Sequence, residues 1–249
     1  MVKTNAVECL RRELARRSWR GEAIHFSGVT DCYQPLEAAY GLTRGCLEVC
    51  LRFRNPVAVI TKAALVRRDA ELLAALHAAA GARVFFSVPF DDESTARRIE
   101  PGVSAPSKRF EAMRALSAAG VPTGVMIAPL IPGLNDTDVP SILARARDAG
   151  ASWAGLGLLH LTEDVLPVFR ERLEAAFPDR AARVLAGVRD ARGGRLTESR
   201  PGVRMRGTGA RWEASARLFE LTCRRLGLEY GRGAPPPTAP RPRQRELFS

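Results

Sequence analysis

The sequence predicts an α/β fold of repeating strand–helix units around one parallel sheet, flat or curved. Three observations support this prediction. Strand-like and helix-like segments alternate along most of the chain, as right-handed β/α units require. Val57-Ala58-Val59-Ile60-Thr61 is a continuous apolar run, which is typical of a strand buried on both faces. Polar loops follow the strands, at the sheet edge where such folds bind ligands.

Taken in order, the strands are predicted at residues 23–28, 57–61, 83–88, 121–128 and 152–160. The helices are predicted at residues 5–17, 36–53, 69–80, 107–119, 138–149, 163–176, 178–191 and 210–226, with a polar connection over 89–106. We expect Asn5 and Asp69 to cap the helices that follow them. The chain opens on a helix with no strand before it, which is unusual in an alternating fold.

The domain organisation follows from composition. Residues 1–228 are predicted to form one domain. Residues 229–249 are rich in proline and arginine, and we expect them to be a disordered tail.

The chain is strongly basic. Its 38 Lys and Arg residues outnumber 27 Asp and Glu residues, which gives a net charge of +11, and only three of the basic residues are lysines. One interpretation is a surface that binds nucleic acid, since arginine makes paired hydrogen bonds to phosphate. The other is compositional bias, because alanine, glycine and proline are also abundant. The charge alone leaves both open.

The sequence predicts a cytoplasmic protein with no membrane partner. No apolar run approaches the roughly 20 residues that cross a bilayer. The N-terminus Met1-Val2-Lys3-Thr4-Asn5 lacks the apolar core of a signal peptide.

Five cysteines occur, at positions 9, 32, 46, 50 and 223. Their odd number argues against a disulfide framework. Cys46 and Cys50 are spaced for one helix face, but their neighbours are apolar, so we interpret them as small core residues. Local spacing therefore predicts no metal site.

Polar residues follow nearly every predicted strand: Thr30 and Asp31, Thr61 and Lys62, Ser87, Asn135 and Asp136, and His160. Each Asp or Asn before a helix could be a cap. Lys62 is harder to explain in that way, because it directly follows a buried strand. Loops that converge on one sheet edge predict a ligand pocket there.

An ordered series of motifs makes the prediction more specific. It comprises Thr30-Asp31-Cys32-Tyr33-Gln34-Pro35-Leu36-Glu37, Leu42-Thr43-Arg44, Thr61-Lys62, Arg68-Asp69, Arg98-x-Glu100-Pro101, Pro129-x-Ile131-Pro132-Gly133-Leu134-Asn135-Asp136 and Met205-Arg206-Gly207-Thr208-Gly209. The series closely resembles radical S-adenosylmethionine (radical SAM) proteins related to spore photoproduct lyase, the DNA-repair photolyase-like branch. The resemblance covers residues 2 to about 228.

The resemblance implies a partial (β/α)6 TIM-like barrel that binds S-adenosylmethionine and a [4Fe-4S] cluster. In the family, reductive cleavage of S-adenosylmethionine yields a 5′-deoxyadenosyl radical, which takes a hydrogen atom from the substrate. It further implies lyase or repair chemistry, with nucleic acid as a possible substrate. A reductant such as flavodoxin or ferredoxin would serve as partner.

The chain departs from the family pattern at the cluster. The family holds its cluster with Cys-x3-Cys-x2-Cys after the first strand, and none of the five cysteines here has that spacing. The missing first strand and cluster loop would also explain why the chain opens on a helix. We therefore expect that the chain lacks these segments. We also expect that, as it stands, it is inactive. The alternative is a non-catalytic remnant or a basic nucleic-acid-binding module.

The resemblance assigns roles to the remaining positions. Thr30, Asp31 and Lys62 would approach the amino and carboxylate groups of S-adenosylmethionine, Ser87 its ribose and Asn135 its adenine. Tyr33 and Gln34 would face the substrate. Cys32 would donate a hydrogen atom, or would be only a half-buried loop cysteine. Arg204 and Arg206 would bind a phosphate of the substrate, or would pack the last helix.

Overall fold

The computed structural model describes residues 2–26, 30–198 and 205–231. The helices are α1 (Ala6–Leu14), α2 (Glu37–Tyr40), α3 (Leu42–Arg52), α4 (Ala70–Ala80), α5 (Glu93–Ile99), α6 (Pro106–Ala118), α7 (Val139–Asp148), α8 (Val165–Ala176), α9 (Pro178–Asp190) and α10 (Ala210–Leu226). The strands are β1 (Ile24–Phe26), β2 (Val57–Thr61), β3 (Ala82–Ser87), β4 (Thr123–Leu130), β5 (Ala151–Leu158) and β6 (Glu229–Tyr230).

The strands form one six-stranded sheet in the order β1-β2-β3-β4-β5-β6. β1 pairs with β2, β2 with β3, and β5 with β6, each in parallel. Parallel neighbours in chain order are the result of successive β/α units, so the predicted α/β class is confirmed. No helix in the described ranges is long and apolar enough to cross a membrane.

The chain divides into two compact units. Among the described residues, one unit comprises those up to Phe86 together with Glu111–Gly124, and the other comprises Ser87–Phe110 and residues 125–231. In the first unit α3 packs against α1 and α4. Its buried core includes Leu47, Val57, Val59, Leu73, Leu76, Val84, Met113 and Leu116. The second unit has its own cluster of Phe90, Ile131, Leu134, Leu159, Leu161, Leu173, Val184 and Val188.

Gly41 divides the helix that the sequence predicts over residues 36–53. It ends α2 in the left-handed conformation, with φ of +58°, which a residue with a side chain rarely adopts. The carboxylate of Glu37 then accepts hydrogen bonds from the N–H groups of Thr43 and Arg44, at the start of α3. Gly41, which the sequence pattern placed inside one helix, is therefore the boundary between two helices.

Four other local predictions differ from the structure. Asp69 does not cap α4, and Asn5 does not cap α1, because neither makes a side-chain bond to its helix. The predicted polar connection over 89–106 contains α5, whose cap is Asp92, with a bond from the Thr95 N–H of 2.6 Å. Glu229 and Tyr230, predicted to begin a tail, form β6 beside β5.

Candidate functional site

Asp31 ties the loop after β1 to the end of β2. Its Oδ1 accepts hydrogen bonds from the Thr61 hydroxyl at 2.7 Å and the Tyr33 N–H at 2.9 Å. Its Oδ2 accepts one from the Lys62 N–H at 2.6 Å. Such charge-assisted bonds are stronger than neutral ones. Asp31 thus fixes its own loop and the end of β2, while the neighbouring Thr30 is exposed and Lys62 is half-buried.

Tyr33 is anchored inside the first unit. It is only 1% exposed, and its hydroxyl donates to Oδ2 of Asp69 at 3.0 Å. Burial, followed by the charge of Asp69, raises the pKa of Tyr33 well above its usual range. This contact favours an anchoring role over the substrate contact expected for Tyr33. Gln34, the other residue expected to face substrate, is exposed.

Two buried carboxylates hold the surrounding helices. Asp69 is 0% exposed and accepts from Nη1 of Arg44 at 2.6 Å and from Nε of Arg68 at 3.4 Å. Glu37 accepts from Nη2 of Arg68 at 3.0 Å. Asp69 therefore joins Tyr33 to two arginines instead of capping α4. The sequence motifs contained all of these residues, but their pairing requires contacts between segments up to 36 positions apart.

Cys32 lies between the two anchored residues. Its carbonyl accepts a hydrogen bond of 2.6 Å from the Thr43 hydroxyl, which ties the backbone of Cys32 to the start of α3. Burial, and then the charge of Asp31, raises the pKa of the Cys32 thiol to about 12. At neutral pH this thiol keeps its proton. A protonated thiol is a weak nucleophile and a weak metal ligand, but it retains the S–H bond that a hydrogen-atom donor needs.

In the second unit, the hydroxyl of Ser87 forms a hydrogen bond to the backbone. Ser87 ends β3, is 6% exposed, and donates through Oγ to the carbonyl of Ala128 at 2.7 Å. Its own carbonyl accepts from Nη1 of Arg109 at 2.7 Å.

Arg109 is a residue that the sequence did not single out. It is 1% exposed, and its guanidinium also bonds the carbonyl of Ser104 and the carboxylate of Glu100. A buried arginine needs such partners. Its partner Glu100 belongs to the Arg98-x-Glu100-Pro101 motif, which was the feature of the sequence that could have pointed to Arg109.

Asn135 organises the loop after β4. It is 0% exposed. Its Oδ1 accepts from the Ile131 N–H at 2.6 Å, and its Nδ2 donates to the carbonyls of Pro89 and Pro129 at 2.6 and 3.0 Å. The side chain expected beside adenine therefore sets the shape of the backbone at this place.

Of the two predicted phosphate-binding arginines, Arg206 is exposed and lines a cavity in the second unit. Arg204 lies outside the described residues.

The described residues do not fit a [4Fe-4S] cluster. Within the described ranges no three His, Cys, Asp or Glu side chains are grouped to hold a metal ion. Burial raises the pKa of Cys46 to about 11 and the pKa values of Cys50 and Cys223 to about 12. Cluster ligands are thiolates, so these thiols are poorly suited to the role.

Comparisons with known proteins agree with the predicted family. The radical SAM superfamily model matches residues 5–146. An uncharacterized protein of Mycobacterium tuberculosis is 33% identical over 185 residues, which are 74% of this chain and 54% of that protein. An uncharacterized protein of Methanocaldococcus jannaschii is 30% identical over 115 residues, or 46% of this chain and 43% of that protein. The chain thus spans about half the length of the curated relatives it matches.

Among solved structures, a spore photoproduct lyase mutant with bound AdoMet and dinucleoside spore photoproduct superposes with a TM-score of 0.56. It is 18% identical, and the match covers 90% of this chain and 64% of that one. A cysteine-to-serine mutant of the same lyase gives a TM-score of 0.54 at 18% identity, over 92% and 66% of the two chains. At this identity the likeness shows the fold, and it confirms the partial radical SAM barrel expected from the sequence. Because the family model matches more than half of its residues, the chain belongs to the radical SAM superfamily.

Proposed function

We propose that this chain supplies S-adenosylmethionine-binding loops of a radical SAM enzyme with lyase or repair chemistry on a nucleic-acid substrate. The observation that carries the proposal is the Asp31 clamp. It fixes the loop of Cys32 on the end of β2 through two hydrogen bonds, from Thr61 and Lys62, and a third bond from the Tyr33 N–H lies within the loop. Ligands of parallel α/β folds bind at these strand ends. Membership of the radical SAM superfamily supports the same ligand.

When bound and reduced, S-adenosylmethionine supplies a 5′-deoxyadenosyl radical in this superfamily; the protein contributes binding, orientation and exclusion of water. In the first unit, Thr30 and Lys62 would hold the methionine end of the ligand, and Asp31 would fix the loop that carries them. The resemblance assigns Ser87 to the ribose and Asn135 to the adenine, and each side chain fixes the backbone of its own loop. Cys32 would offer an S–H bond to a substrate radical, since its raised pKa keeps the proton in place.

Since the described cysteines do not fit a cluster, the proposed roles are confined to binding and hydrogen donation. We expect anaerobic reconstitution of the 249-residue chain with iron and sulfide to give no stable [4Fe-4S] absorption. A stable cluster would show that the ligand argument is wrong. In an active enzyme the electron would come from a flavodoxin- or ferredoxin-type reductant.

Binding of S-adenosylmethionine by the chain tests the proposal directly. Equilibrium dialysis with labelled ligand should show saturable binding, and Asp31→Ala should weaken it by about tenfold or more, roughly 1.4 kcal/mol. Asp164→Ala is the matched control, because Asp164 is exposed and caps nothing with its side chain. Absence of saturable binding to the unaltered chain, or equal binding by both variants, would refute the proposed site.

The nucleic-acid part of the proposal rests on the net charge of +11 and on the solved lyases with bound dinucleoside photoproduct. Binding to duplex DNA, followed by fluorescence anisotropy, should weaken steeply with salt, because neutralised phosphates release counterions. A slope near zero would argue against phosphate contacts and against this substrate class.

A further inference from the structure

The second unit contains a cavity of about 630 Å³. This volume is within the range of about 300–1,000 Å³ that small-molecule sites occupy. Residues of β4, β5 and α10, together with the segment 205–207 and the end of the described chain, form its walls. None of the predicted cofactor-binding residues lines it, but Arg206, which the resemblance assigns to a phosphate of the substrate, does.

The floor of the cavity includes two residues of β5 that have no side chain, and methionine side chains pack there instead. Gly155 and Gly157 are two apart and therefore point to the same face of the sheet. A Cβ on Gly155 would lie 2.3 Å from Sδ of Met126, and one on Gly157 would lie 2.9 Å from Cε of Met205. The side chains of Met126 and Met205 thus pack directly on the backbone of the two glycines. Methionine side chains adapt to flat apolar groups and make favourable contacts with aromatic rings.

Aromatic rings form the walls. The indole of Trp212 packs directly on the backbone of Gly207, where a Cβ would lie 2.7 Å from the ring. Phe219 and Tyr230 meet edge to face, with centroids 6.2 Å apart. The Tyr230 hydroxyl accepts a bond of 3.1 Å from Nε of Arg224, which holds that ring in place. Rings fixed in this way offer apolar surface at low entropic cost.

Two opposite charges also line the cavity, those of Arg206 and Glu220. In the described part of the chain, neither side chain takes part in a salt bridge or a side-chain hydrogen bond. A small number of polar groups on an apolar lining is what fixes the orientation of a ligand. A guanidinium binds carboxylate or phosphate through paired bonds, and a carboxylate accepts from an amine or hydroxyl.

We propose that this cavity binds a small molecule with a flat aromatic ring, an anionic group and a hydrogen-bond donor. The ring lies on the floor formed by Gly155, Gly157 and the two methionines, against the aromatic walls. Arg206 takes the anionic group, and Glu220 accepts from the donor. Both nucleotides and aromatic carboxylic acids carry this chemistry. The inference rests on the proposed function in one respect, the assignment of Arg206 to an anionic group of the substrate. Its test is separate, because it measures binding to the chain with no S-adenosylmethionine or DNA present.

Isothermal titration calorimetry with four probes tests it. Adenosine 5′-monophosphate carries ring and phosphate, phenylacetate carries ring and carboxylate, adenosine carries the ring alone, and inorganic phosphate carries the anion alone. We expect at least one of the first two to bind saturably, about tenfold or more tighter than adenosine, and inorganic phosphate not to saturate. If only one of the two binds, the result shows whether the cavity takes a phosphate or a carboxylate. Failure of both to bind overturns the proposal.

Variants locate the binding. Arg206→Gln should weaken the charged probe by about tenfold and leave adenosine unchanged, because only the ion pair is lost, at roughly 1.4 kcal/mol. Arg217→Gln, an exposed position of α10 outside the cavity lining, should change neither. Ala216→Trp, which fills the cavity from α10, should abolish binding. If the charged probe binds equally well to Arg206→Gln, or to a folded Ala216→Trp chain, the cavity is not the site.

Discussion

The loop after β1 and the loop after β4 each carry residues expected to bind cofactor, yet they are stabilised in different ways. The first depends on ions: Asp69 is 0% exposed, but its partners Arg44 and Arg68 are 46% and 31% exposed. The second depends on the neutral amide of Asn135, which is 0% exposed and fully hydrogen-bonded to backbone. Salt can therefore screen the ion pairs of Asp69, whereas it should have little effect on the hydrogen bonds of the Asn135 amide.

This difference shows that the predicted ligand residues have structural roles of their own. Asp31, Ser87 and Asn135 each use their polar atoms to fix backbone at the ends of strands. A loop that is fixed before a ligand arrives loses less entropy on binding. Pre-organisation of the loops is therefore a function of these residues in addition to any direct contact with a ligand.

The largest effect is expected for Asn135→Ala. The substitution leaves the Ile131 N–H and the carbonyls of Pro89 and Pro129 buried without the amide, so the free energy of unfolding should fall by about 3 kcal/mol. Urea unfolding followed by circular dichroism measures this. Asn5→Ala, at an exposed position with no capping bond, should stay within about 0.5 kcal/mol. A loss below about 1 kcal/mol for Asn135→Ala would contradict the assigned role.

Asp69→Asn should cost less, about 2 kcal/mol, because the half-exposed arginines can turn to water. Its cost should shrink in about 1 M sodium chloride, where the Debye length is about 3 Å, while the cost of Asn135→Ala should not. Asp148→Asn, exposed on α7, serves as the matched control. Identical salt dependence for the Asp69 and Asn135 variants would remove the contrast between the two loops.

Sequence alone predicted the strand-helix order because apolar runs and glycines act locally. It could not predict that Asp69 joins Tyr33 to two arginines, since that depends on which segments meet in three dimensions. The buried Arg109 was missed for the same reason: an arginine in a helix is usually solvated, and only the fold shows the three partners around it. The cavity of the second unit could not be predicted, because the sequence does not show which side chains from other segments pack on Gly155 and Gly157.

Tyr33→Phe should have a smaller effect, a loss of about 1 kcal/mol in the free energy of unfolding. It removes one donor from Asp69, which keeps its bonds to both arginines. Tyr40→Phe, 51% exposed, should have no measurable effect. In a double-mutant cycle, the losses from Tyr33→Phe and Asp69→Asn should not add, because the two residues share one bond. Strict additivity would show that the network does not act as a unit.

The smallest effect concerns the thiol of Cys32, whose pKa is raised to about 12 by burial and then by the charge of Asp31. Alkylation by iodoacetamide at pH 8, followed by peptide mass spectrometry, should modify the exposed Cys9 first. The rate at Cys32 should rise with pH toward 12, since the thiolate is the nucleophile.

Asp31→Asn should speed alkylation of Cys32 at pH 8 by a few-fold, because it removes the negative charge that disfavours the thiolate. A loosened loop would also speed the reaction, and Thr61→Val separates the two causes. It deletes one hydrogen bond to Asp31 but keeps the charge. If Thr61→Val accelerates alkylation as much as Asp31→Asn does, access controls the reaction. If only Asp31→Asn does so, the negative charge of Asp31 adds to burial in keeping the Cys32 thiol protonated, an effect that a neutral amide such as Asn135 does not have.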